Sequence, residues 1–384
     1  MRLNCININE NKTLATDLLP FSIEIKNREG ESRKTNRLYI DNGEVKTELL
    51  PSKGLSPGEV LFGEKPVFWE PPIGLPDPDK FDPNGNKVLI NGSHLPGFDY
   101  LETFMGGIEF YGLKNWGMPL NVNGTVLPLH GETSNIPVKE VEVVKENNGI
   151  RVTGSFIYRS MDKNNNKIWY LRGDELYKVS QSLFIPDKGK RFGFKTTIRN
   201  ITNETLIPDW GYHITFRPED GSRLIVPSRQ AELRGGGELP SDIETWHPAA
   251  GSSVRTEVGV IHKQLYSENG RSFILLRYTD GAGIKFSFPS SPYFQTWFCN
   301  GGAGTKEFTY ADGTPVLNKN WDGQGIEIGS GPVDHDGNID NTVNYRKELE
   351  AGEKKEIEFE TEFLTAAECD ELEAEIIKFR KNTY

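Results

Sequence analysis

The spacing of glycine and proline is the feature of this sequence that most limits its fold. The 384 residues include 40 glycines and 23 prolines, which separate short runs rich in Val, Ile, Thr, Tyr and Phe. Such residues favour strands, whereas Gly and Pro favour the turns between strands. The strand-like runs include residues 139–145, 150–158, 192–200, 272–278, 283–288 and 355–363. The pattern predicts an all-β fold, a large antiparallel β-sandwich with few short helices.

One helix is predicted, at the C-terminal end of the chain, and a capping box marks its start. Thr365 and Glu368 have the spacing of a capping box, in which each residue satisfies a backbone N–H of the other. Apolar residues then recur on one face of the predicted helix, at Cys369, Leu372, Ile376 and Phe379. We expect a helix over about 365–381 that packs on the outside of the sandwich.

The chain is expected to form one domain over residues 1–384, with an N-terminal extension over about 1–36. The Pro- and Asp-rich stretch 70–97 is interpreted as a long loop because strand-like sequence resumes after it without a change in composition. No repeat of fixed period interrupts the chain. Large β-sandwiches of this length commonly form a single domain.

Charge and cysteine content exclude several classes of partner. The net charge is −11 and the pI about 5.3, which argues against binding to nucleic acids or anionic membranes, because these surfaces need clustered Lys and Arg. Cys5, Cys299 and Cys369 are too scattered for a disulfide framework or a zinc site. The first residues lack the apolar run of a secretory signal. We therefore expect a cytoplasmic protein, and the sequence gives no indication of its oligomeric state.

Two of the six histidines are candidates for proton transfer. His130 lies in LPLHGETSNIP, followed directly by Gly131, and His213 lies in IPDWGYHITF among aromatic residues. An imidazole has an ordinary pKa near neutrality, and aromatic rings commonly stack on the apolar faces of sugars. These contexts make His213 a candidate general acid, although an isolated strand histidine is more often structural.

Glu327 is the candidate base. It lies between Ile326 and Ile328 in GQGIEIGSG, so on a strand it points away from its two apolar neighbours. The flanking glycines permit close approach of a ligand. The alternative interpretation is an exposed carboxylate on an ordinary alternating strand.

Motifs for nucleotides and metals are missing from the sequence. The glycines at 235–237 and 301–304 lack the Lys-Ser/Thr of a P-loop, and VDHDGNID lacks the glutamate that closes an EF-hand loop. Neither HExxH nor GxSxG occurs. We expect no cofactor and no catalytic metal.

Five segments in order resemble the galactose mutarotase-like superfamily, and more closely a branch of aldose 1-epimerase-like proteins known as a domain of unknown function. They are LYIDNGEVKTELLPSKGLSPGEVLFG, GGIEFYGLKNWGMP, LPLHGETSNIP, KTTIRNITNETLIPDWGYHITF and SPYFQTWF with GIEIGSG. The third is similar to the family's "LHGRxSNxPA" signature and the fourth to "VxNxGxxPxPxxxxHxxF". The resemblance covers about residues 37–364.

The resemblance implies an aldose 1-epimerase acting on a small-molecule carbohydrate. In such enzymes one histidine protonates the ring oxygen, a glutamate removes the proton of the anomeric hydroxyl, and a second histidine binds and polarises the sugar. These roles correspond to His213, Glu327 and His130 here. The resemblance also suggests substrate-binding residues, at Trp297, Asn115, Trp116, Lys53, Asp209, Trp246 and His262.

Three departures from the family pattern leave other functions open. Lys53 and Glu132 replace arginines, and Ile328 replaces a proline. Exchanging Arg for Lys loses bidentate recognition, and exchanging Arg for Glu reverses a charge. The alternatives are a non-catalytic carbohydrate-binding or sensing protein and a glycoside hydrolase or lyase, which would need a second carboxylate about 5–10 Å from Glu327. A phosphosugar epimerase would need a basic cradle, for which Arg223, Arg229 and Arg234 are candidates.

Overall fold

The computed structural model describes most of the chain. The residues described are 2–4, 12–14, 21–26, 37–71, 78, 81–83, 85–122, 125–160, 169–248, 256–290, 293–300, 308–314, 316, 322–331 and 347–381. Strands are numbered below in chain order. Cys5, the glycines at 301–304 and the segment VDHDGNID (333–340) lie outside the described residues.

The largest sheet has nine antiparallel strands, and all six predicted strands belong to it. In spatial order they are β1 (Arg2–Asn4), β13 (Glu140–Glu146), β14 (Gly149–Arg159), β15 (Glu175–Pro186), β16 (Arg191–Asn200), β26 (Lys354–Leu364), β22 (Gly283–Pro289), β21 (Arg271–Arg277) and β18 (Arg223–Ile225). Alternate residues of β14 are buried, which is the expected pattern for a strand with one face on the core. The predicted boundaries are confirmed to within one residue.

The second sheet has six strands and is named the site sheet here. In spatial order they are β10 (Gly107–Leu113), β17 (Asp209–Phe216), β25 (Gly323–Gly329), β23 (Tyr293–Asn300), β20 (Thr256–Leu265) and β19 (Ser228–Leu233). All residues of β10, β17 and β25 are buried. Because successive side chains of a strand point to opposite faces, both faces of this part of the sheet are covered.

The third sheet and two small ones complete the described strands. The third contains, in order, β2 (Lys12–Leu14), β3 (Ser22–Lys26), β4 (Arg37–Asp41), β5 (Val45–Leu50), β6 (Ser56–Phe62) and β7 (Lys65–Pro66). The small sheets are β11 (Leu120–Val122) with β12 (Thr125–Leu127), and β24 (Phe308–Thr309) with β8 (Leu89–Ile90) and β9 (Ser93–His94). Short 3-10 helices occur at Pro51–Lys53, Asp99–Glu102, Thr133–Asn135 and Trp169–Leu171. The predicted loop at 70–97 thus contains only two-residue strands where it is described.

The nine-stranded sheet and the site sheet pack face to face. Tyr212 of β17 meets Phe359 of β26 with ring centroids 4.6 Å apart, and Phe294 of β23 stacks on Phe288 of β22 at 4.9 Å. Ile214 lies on the same face of β17 as Tyr212 and is fully buried. Aromatic and branched side chains therefore fill the space between the two sheets, and the predicted β-sandwich is confirmed.

The helix α1 (Ala366–Lys381) begins at the predicted capping box. The Thr365 backbone N–H donates to the Glu368 carboxylate at 2.7 Å, and the Glu368 N–H donates to the Thr365 hydroxyl at 3.4 Å. Cys369, Leu372 and Ile376 pack with residues of β18, β21 and β26. The helix covers the exterior of the sandwich, as predicted. Within the described part of the chain, no helix combines the length and the apolar character needed to cross a bilayer.

Candidate functional site

Strand register places four polar residues in one row across the site sheet. Glu109 of β10 is paired with His213 of β17, His213 with Glu327 of β25, and Glu327 with Gln295 of β23. Residues opposite each other in antiparallel strands point to the same face. Since Tyr212 and Ile214 face the core, the row lies on the other face, which we call the site face.

His213 and Glu327 face each other at the centre of this row. The His213 Nε2 and Glu327 Oε1 atoms are 3.5 Å apart, and the two residues are only 8% and 5% exposed. The outer atom of each side chain has its own partner. His213 Nδ1 lies 3.2 Å from the Thr215 hydroxyl, and Gln295 Nε2 donates to Glu327 Oε2. These contacts fix both side chains so that Nε2 and Oε1 point at the same small volume.

His130 reaches the same place from a turn after β12. Its backbone has φ +56°, a left-handed conformation that non-glycine residues seldom adopt. The His130 N–H donates to the Gly117 carbonyl at 2.6 Å, and its carbonyl accepts from the Gly112 N–H at 3.0 Å, so the turn is held against β10. The His130 and His213 ring centroids are 5.7 Å apart.

The three candidate residues form one cluster. A nitrogen of each histidine and a carboxylate oxygen of Glu327 all lie within 4.8 Å of one another. The buried His130 Nδ1 has no hydrogen-bond partner among the described residues. Buried polar atoms are rarely left without partners in proteins, so this atom is suited to a ligand. The same three atoms have the spacing to hold a metal ion.

Two tryptophans lie flat on glycines at either side of the row. A Cβ added to Gly325 or Gly323 would come within 2.8 or 3.0 Å of the Trp297 indole. A Cβ added to Gly211 or Gly329 would come within 2.1 or 2.3 Å of the Trp116 indole. The glycines of β17 and β25 therefore make room for two indole rings on the site face. Trp297 also contacts His213, with ring centroids 4.8 Å apart.

We predict that Gly211→Ala destabilises the protein by displacing Trp116. The new methyl group would lie 2.1 Å from Trp116 Cδ2, a contact that forces the indole to move. Overpacking of a buried site typically lowers the free energy of unfolding by about 1–3 kcal/mol. Gly193→Ala is the matched control, because its Cβ would meet only the Phe359 carbonyl at 3.7 Å. Urea denaturation of both variants would contradict this account if their unfolding free energies were equal.

Burial sets the protonation of the cluster. It raises the pKa of Glu327 to about 7, while the positive charge of Arg234 opposes this rise and the negative charge of Glu257 adds to it. Burial lowers the pKa of His130 to about 3. Burial also holds the pKa of His213 well below its ordinary value, with His130 and Arg234 acting in the same direction. Near pH 7 both histidines are neutral, and Glu327 exchanges its proton readily.

Lys53 lies at the β10 end of the row, against Glu109. It is fully buried, and its ammonium group lies 3.2 Å from Glu109 Oε1. The same Nζ donates to the Thr103 carbonyl at 2.8 Å and to Asn135 Oδ1 at 2.9 Å. Three protein acceptors thus surround a group with three donors. The structure gives Lys53 the position of a support for Glu109, not that of a predicted substrate contact.

Asn115 and Asp209 hold the turn that carries Trp116. The Asn115 amide nitrogen donates to the carbonyls of Met118 and Pro128 at 3.0 and 2.9 Å. Asp209 accepts from the Trp116 N–H at 2.9 Å and from the Ser330 hydroxyl at 3.0 Å. These contacts fix the turn of Trp116, and the buried Asn115 Oδ1 has no hydrogen-bond partner among the described residues.

Trp246 and His262 are not brought to the cluster. The Trp246 indole N–H donates to the Cys299 carbonyl at 3.3 Å, and the ring belongs to the buried core. His262 follows Ile261, which is paired with Gln295, so its side chain points to the opposite face of the site sheet. There its two ring nitrogens lie 2.9 Å from the hydroxyls of Ser228 and Thr296. The sequence alone does not show which face of the sheet each of these two side chains occupies.

Glu132, which reverses a charge of the family pattern, is internal. It is fully buried, and the Tyr158 hydroxyl donates to its Oε1 at 2.6 Å. Burial raises the pKa of this carboxyl group, which favours its neutral form. The substitution therefore changes the packing behind the turn at His130 more than the charge of the site face.

Arg234 and Glu257 are site-face residues that the sequence analysis did not assign to the site. Arg234 was considered only as part of a phosphate cradle with Arg223 and Arg229. The structure separates these three: Arg223 pairs with Glu373 at 2.7 Å, and Arg229 lies over the Phe379 ring at 4.4 Å. Arg234 instead pairs with Glu257 at 2.9 Å, and both act electrostatically on Glu327.

The β-sandwich is of the kind expected from the resemblance to galactose mutarotase-like proteins. Solved structures show the same fold. A candidate aldose 1-epimerase from Klebsiella pneumoniae superposes with a TM-score of 0.72 over 100% of this chain and 92% of its own, at 18% identity. A candidate mutarotase from Salmonella typhimurium gives 0.56 over 93% and 97%, at 12% identity.

A galactose mutarotase-like protein from Clostridium acetobutylicum gives a TM-score of 0.52 over 89% of this chain and 98% of its own, at 14% identity. Identities this low show the fold alone. The chain therefore has a galactose mutarotase-like fold. No match was found among the curated proteins.

Within that fold class the chain belongs to a particular family. The model of the family described as Domain of unknown function (DUF4432) matches residues 32–305. This match covers well over half of the 384 residues, including the strands that contribute His213 and Gln295. Its upper limit lies before β25, so Glu327 is placed by the structure and not by the family match.

Proposed function

We propose that this protein is an aldose 1-epimerase that interconverts the anomers of a free sugar by proton transfer between His213, Glu327 and the substrate. The buried contact between His213 Nε2 and Glu327 Oε1, at 3.5 Å on adjacent strands, is the observation that supports this most strongly. Anomer exchange needs an acid and a base that act on two oxygens bonded to one carbon. Two groups this close can each contact one of those oxygens.

The protonation of the pair suits both directions of the reaction. Glu327, with a pKa of about 7, can take the proton of the anomeric hydroxyl and return it on ring closure. When the Thr215 hydroxyl donates to His213 Nδ1, the proton of the neutral imidazole is on Nε2. The ring oxygen can accept a hydrogen bond from this N–H as its bond to the anomeric carbon breaks, and any proton shared with it returns to Nε2 on closure. The ring then opens, the aldehyde rotates, and closure on its other face gives the second anomer.

The surroundings of the pair are suited to a sugar. The Trp297 indole lies beside the acid-base pair, with its ring centroid 4.8 Å from that of His213, and is an aromatic ring of the kind on which sugars stack. The fully buried Trp116 supports the row from the other side. His130 Nδ1 and Trp297 Nε1 are buried without hydrogen-bond partners among the described residues. A sugar hydroxyl would supply a partner for each atom. His130 is proposed to bind and polarise the substrate, not to exchange a proton, because its pKa is about 3.

The second carboxylate of the row is not suited to glycoside hydrolysis. Glu109 is fully buried, and its two oxygens are directed to Lys53 at 3.2 Å and to the Met105 N–H at 3.3 Å. A hydrolase needs a second carboxyl group that can approach the scissile bond. Glu109 is committed to the protein interior, and Glu257, another carboxylate of the site face, is paired with Arg234 at 2.9 Å. Both arrangements favour the epimerase over the hydrolase.

Exchange spectroscopy by NMR tests the proposal without knowledge of the substrate. A panel of free aldoses is equilibrated with the protein, and magnetisation transfer between the two anomers of each sugar gives its exchange rate. We expect acceleration of at least one sugar, in the absence of nucleotide. Shifts in sugar resonances without any acceleration would favour the non-catalytic binding protein instead.

The rate of exchange is expected to fall as the pH drops below about 7. Glu327 acts as a base only as a carboxylate, and its pKa of about 7 places the change from carboxylate to carboxyl near neutrality. Because the pKa of His213 lies well below 6.5, its neutral form persists above that range. The kcat/KM profile should therefore rise from pH 5 to 7 and level off above about 8. A profile that is flat over this range would show that Glu327 is not the base.

A further inference from the structure

Arg234 lies on the site face, where Gly259 leaves room for its side chain. Its backbone N–H donates to the Gly259 carbonyl at 2.9 Å, next to the paired residues Leu233 and Val260. A Cβ on Gly259 would lie 3.1 Å from Arg234 Nε and 3.2 Å from Cζ. The guanidinium group therefore lies over Gly259, in the space that a side chain would otherwise fill.

This position is adjacent to Trp297, the aromatic residue proposed to stack on the sugar. Gly259 is paired with Trp297, and Trp297 with Gly325. Trp297 contacts the His213 ring. Arg234 is thus on the same face as the acid-base pair, on the far side of the indole from it.

Glu257 neutralises this arginine from the same strand. It is two residues from Gly259 on β20 and so shares its face. Its carboxylate lies 2.9 Å from Arg234 Nη2, and the two side chains are 31% and 17% exposed, respectively. The site face therefore has a donor group and an acceptor group side by side. The charges of these two groups cancel each other.

We propose that Arg234 and Glu257 are the residues that select the substrate, and that they favour the hydroxyl groups of an uncharged aldose over an anionic sugar. This inference rests on the proposed function. A hydroxyl group can accept from Arg234 and donate to Glu257 while the ion pair stays intact. A phosphate or carboxylate would bind Arg234 only by displacing Glu257, or by lying against its like charge.

Glu257→Gln tests the selection directly, since it leaves Arg234 in place and removes the opposing charge. The measurement is kcat/KM by anomer exchange for one neutral aldose and for its 6-phosphate. We expect the wild type to prefer the neutral sugar, and the variant to shift the ratio by about tenfold or more toward the phosphate. Arg234→Gln in the Glu257→Gln background should remove the shift, because the guanidinium group that would bind the phosphate is lost.

Glu146→Gln is the matched control. Glu146 lies on β13 of the nine-stranded sheet, and forms a partly exposed ion pair with Arg151 of β14 at 2.6 Å. Removing its charge should leave the ratio unchanged. An unchanged ratio in Glu257→Gln, or a wild type that prefers the phosphate, would overturn the proposal.

Binding of the same two sugars separates failure of this inference from failure of the proposed function. If no sugar is epimerised, saturation-transfer NMR still reports the ratio of their affinities, and the shift in Glu257→Gln is expected there as well. Epimerisation with an affinity ratio that does not respond to Glu257→Gln would reject the selecting pair alone. Failure of both sugars to bind would reject both.

Discussion

Glu327→Gln is expected to slow anomer exchange by about 10²–10⁴-fold, the usual effect of losing a positioned general base. The amide has the shape of the carboxylate and can still accept from Gln295, which holds Oε2 in the native protein. What it loses is the ability to take a proton from the anomeric hydroxyl. Exchange spectroscopy on a sugar that the wild type accelerates measures the effect, and saturation-transfer NMR should show that the sugar still binds.

Glu360→Gln is a suitable control for this prediction. Glu360 lies on β26 of the nine-stranded sheet and is about half exposed, 3.8 Å from Arg191. Its substitution removes a strand carboxylate far in the fold from the site face and should leave the rate unchanged. A Glu327→Gln protein that exchanges anomers at the wild-type rate would show that another group is the base.

His213→Asn is expected to produce a loss of similar size, about 10²–10⁴-fold, for a different reason. The ring nitrogen Nε2 is the atom that faces Glu327 Oε1 at 3.5 Å, and asparagine does not extend to that position. The proton for the ring oxygen would then have to come from water. Exchange spectroscopy measures the loss, and circular dichroism checks that the protein is folded.

His247→Asn provides the comparison for a histidine outside the site. His247 is exposed and lies 2.8 Å from Asp220, so its replacement tests only the general effect of removing an imidazole. We expect its rate to equal that of the wild type. If His213→Asn behaved like His247→Asn, the proposed acid would be wrong, whatever the behaviour of Glu327.

The sequence predicted the sheets well because their signal is local. Runs such as residues 150–158 alternate in polarity, and alternation marks a strand with one buried face. The capping box at Thr365 and Glu368 likewise needs only four residues, and both of its backbone contacts are present. The alternation of Glu327 with Ile326 and Ile328 also placed the carboxylate on the face opposite to the core.

Which residues belong to the candidate site depends on how strands distant in sequence are paired. A local sequence pattern does not contain this information. His262 is as strand-like in its surroundings as His213, yet it faces the other way because Ile261, not His262, is paired with Gln295. Lys53 matched a family position, but its ammonium group is paired with the buried carboxylate of Glu109. Arg234 reaches the site face only because Gly259 has no side chain, a dependence between two strands that the sequence alone does not show.

A double-variant cycle of anomer exchange tests most directly the claim that His213 and Glu327 act as a pair. When two residues act together in one step, removing either one abolishes most of their joint contribution to the rate, so removing the second costs little more. We predict that the protein with both His213→Asn and Glu327→Gln is no slower than the slower single variant. Losses that multiply in the double variant would show two independent contributions. A wild-type protein that accelerates no aldose would contradict the epimerase itself.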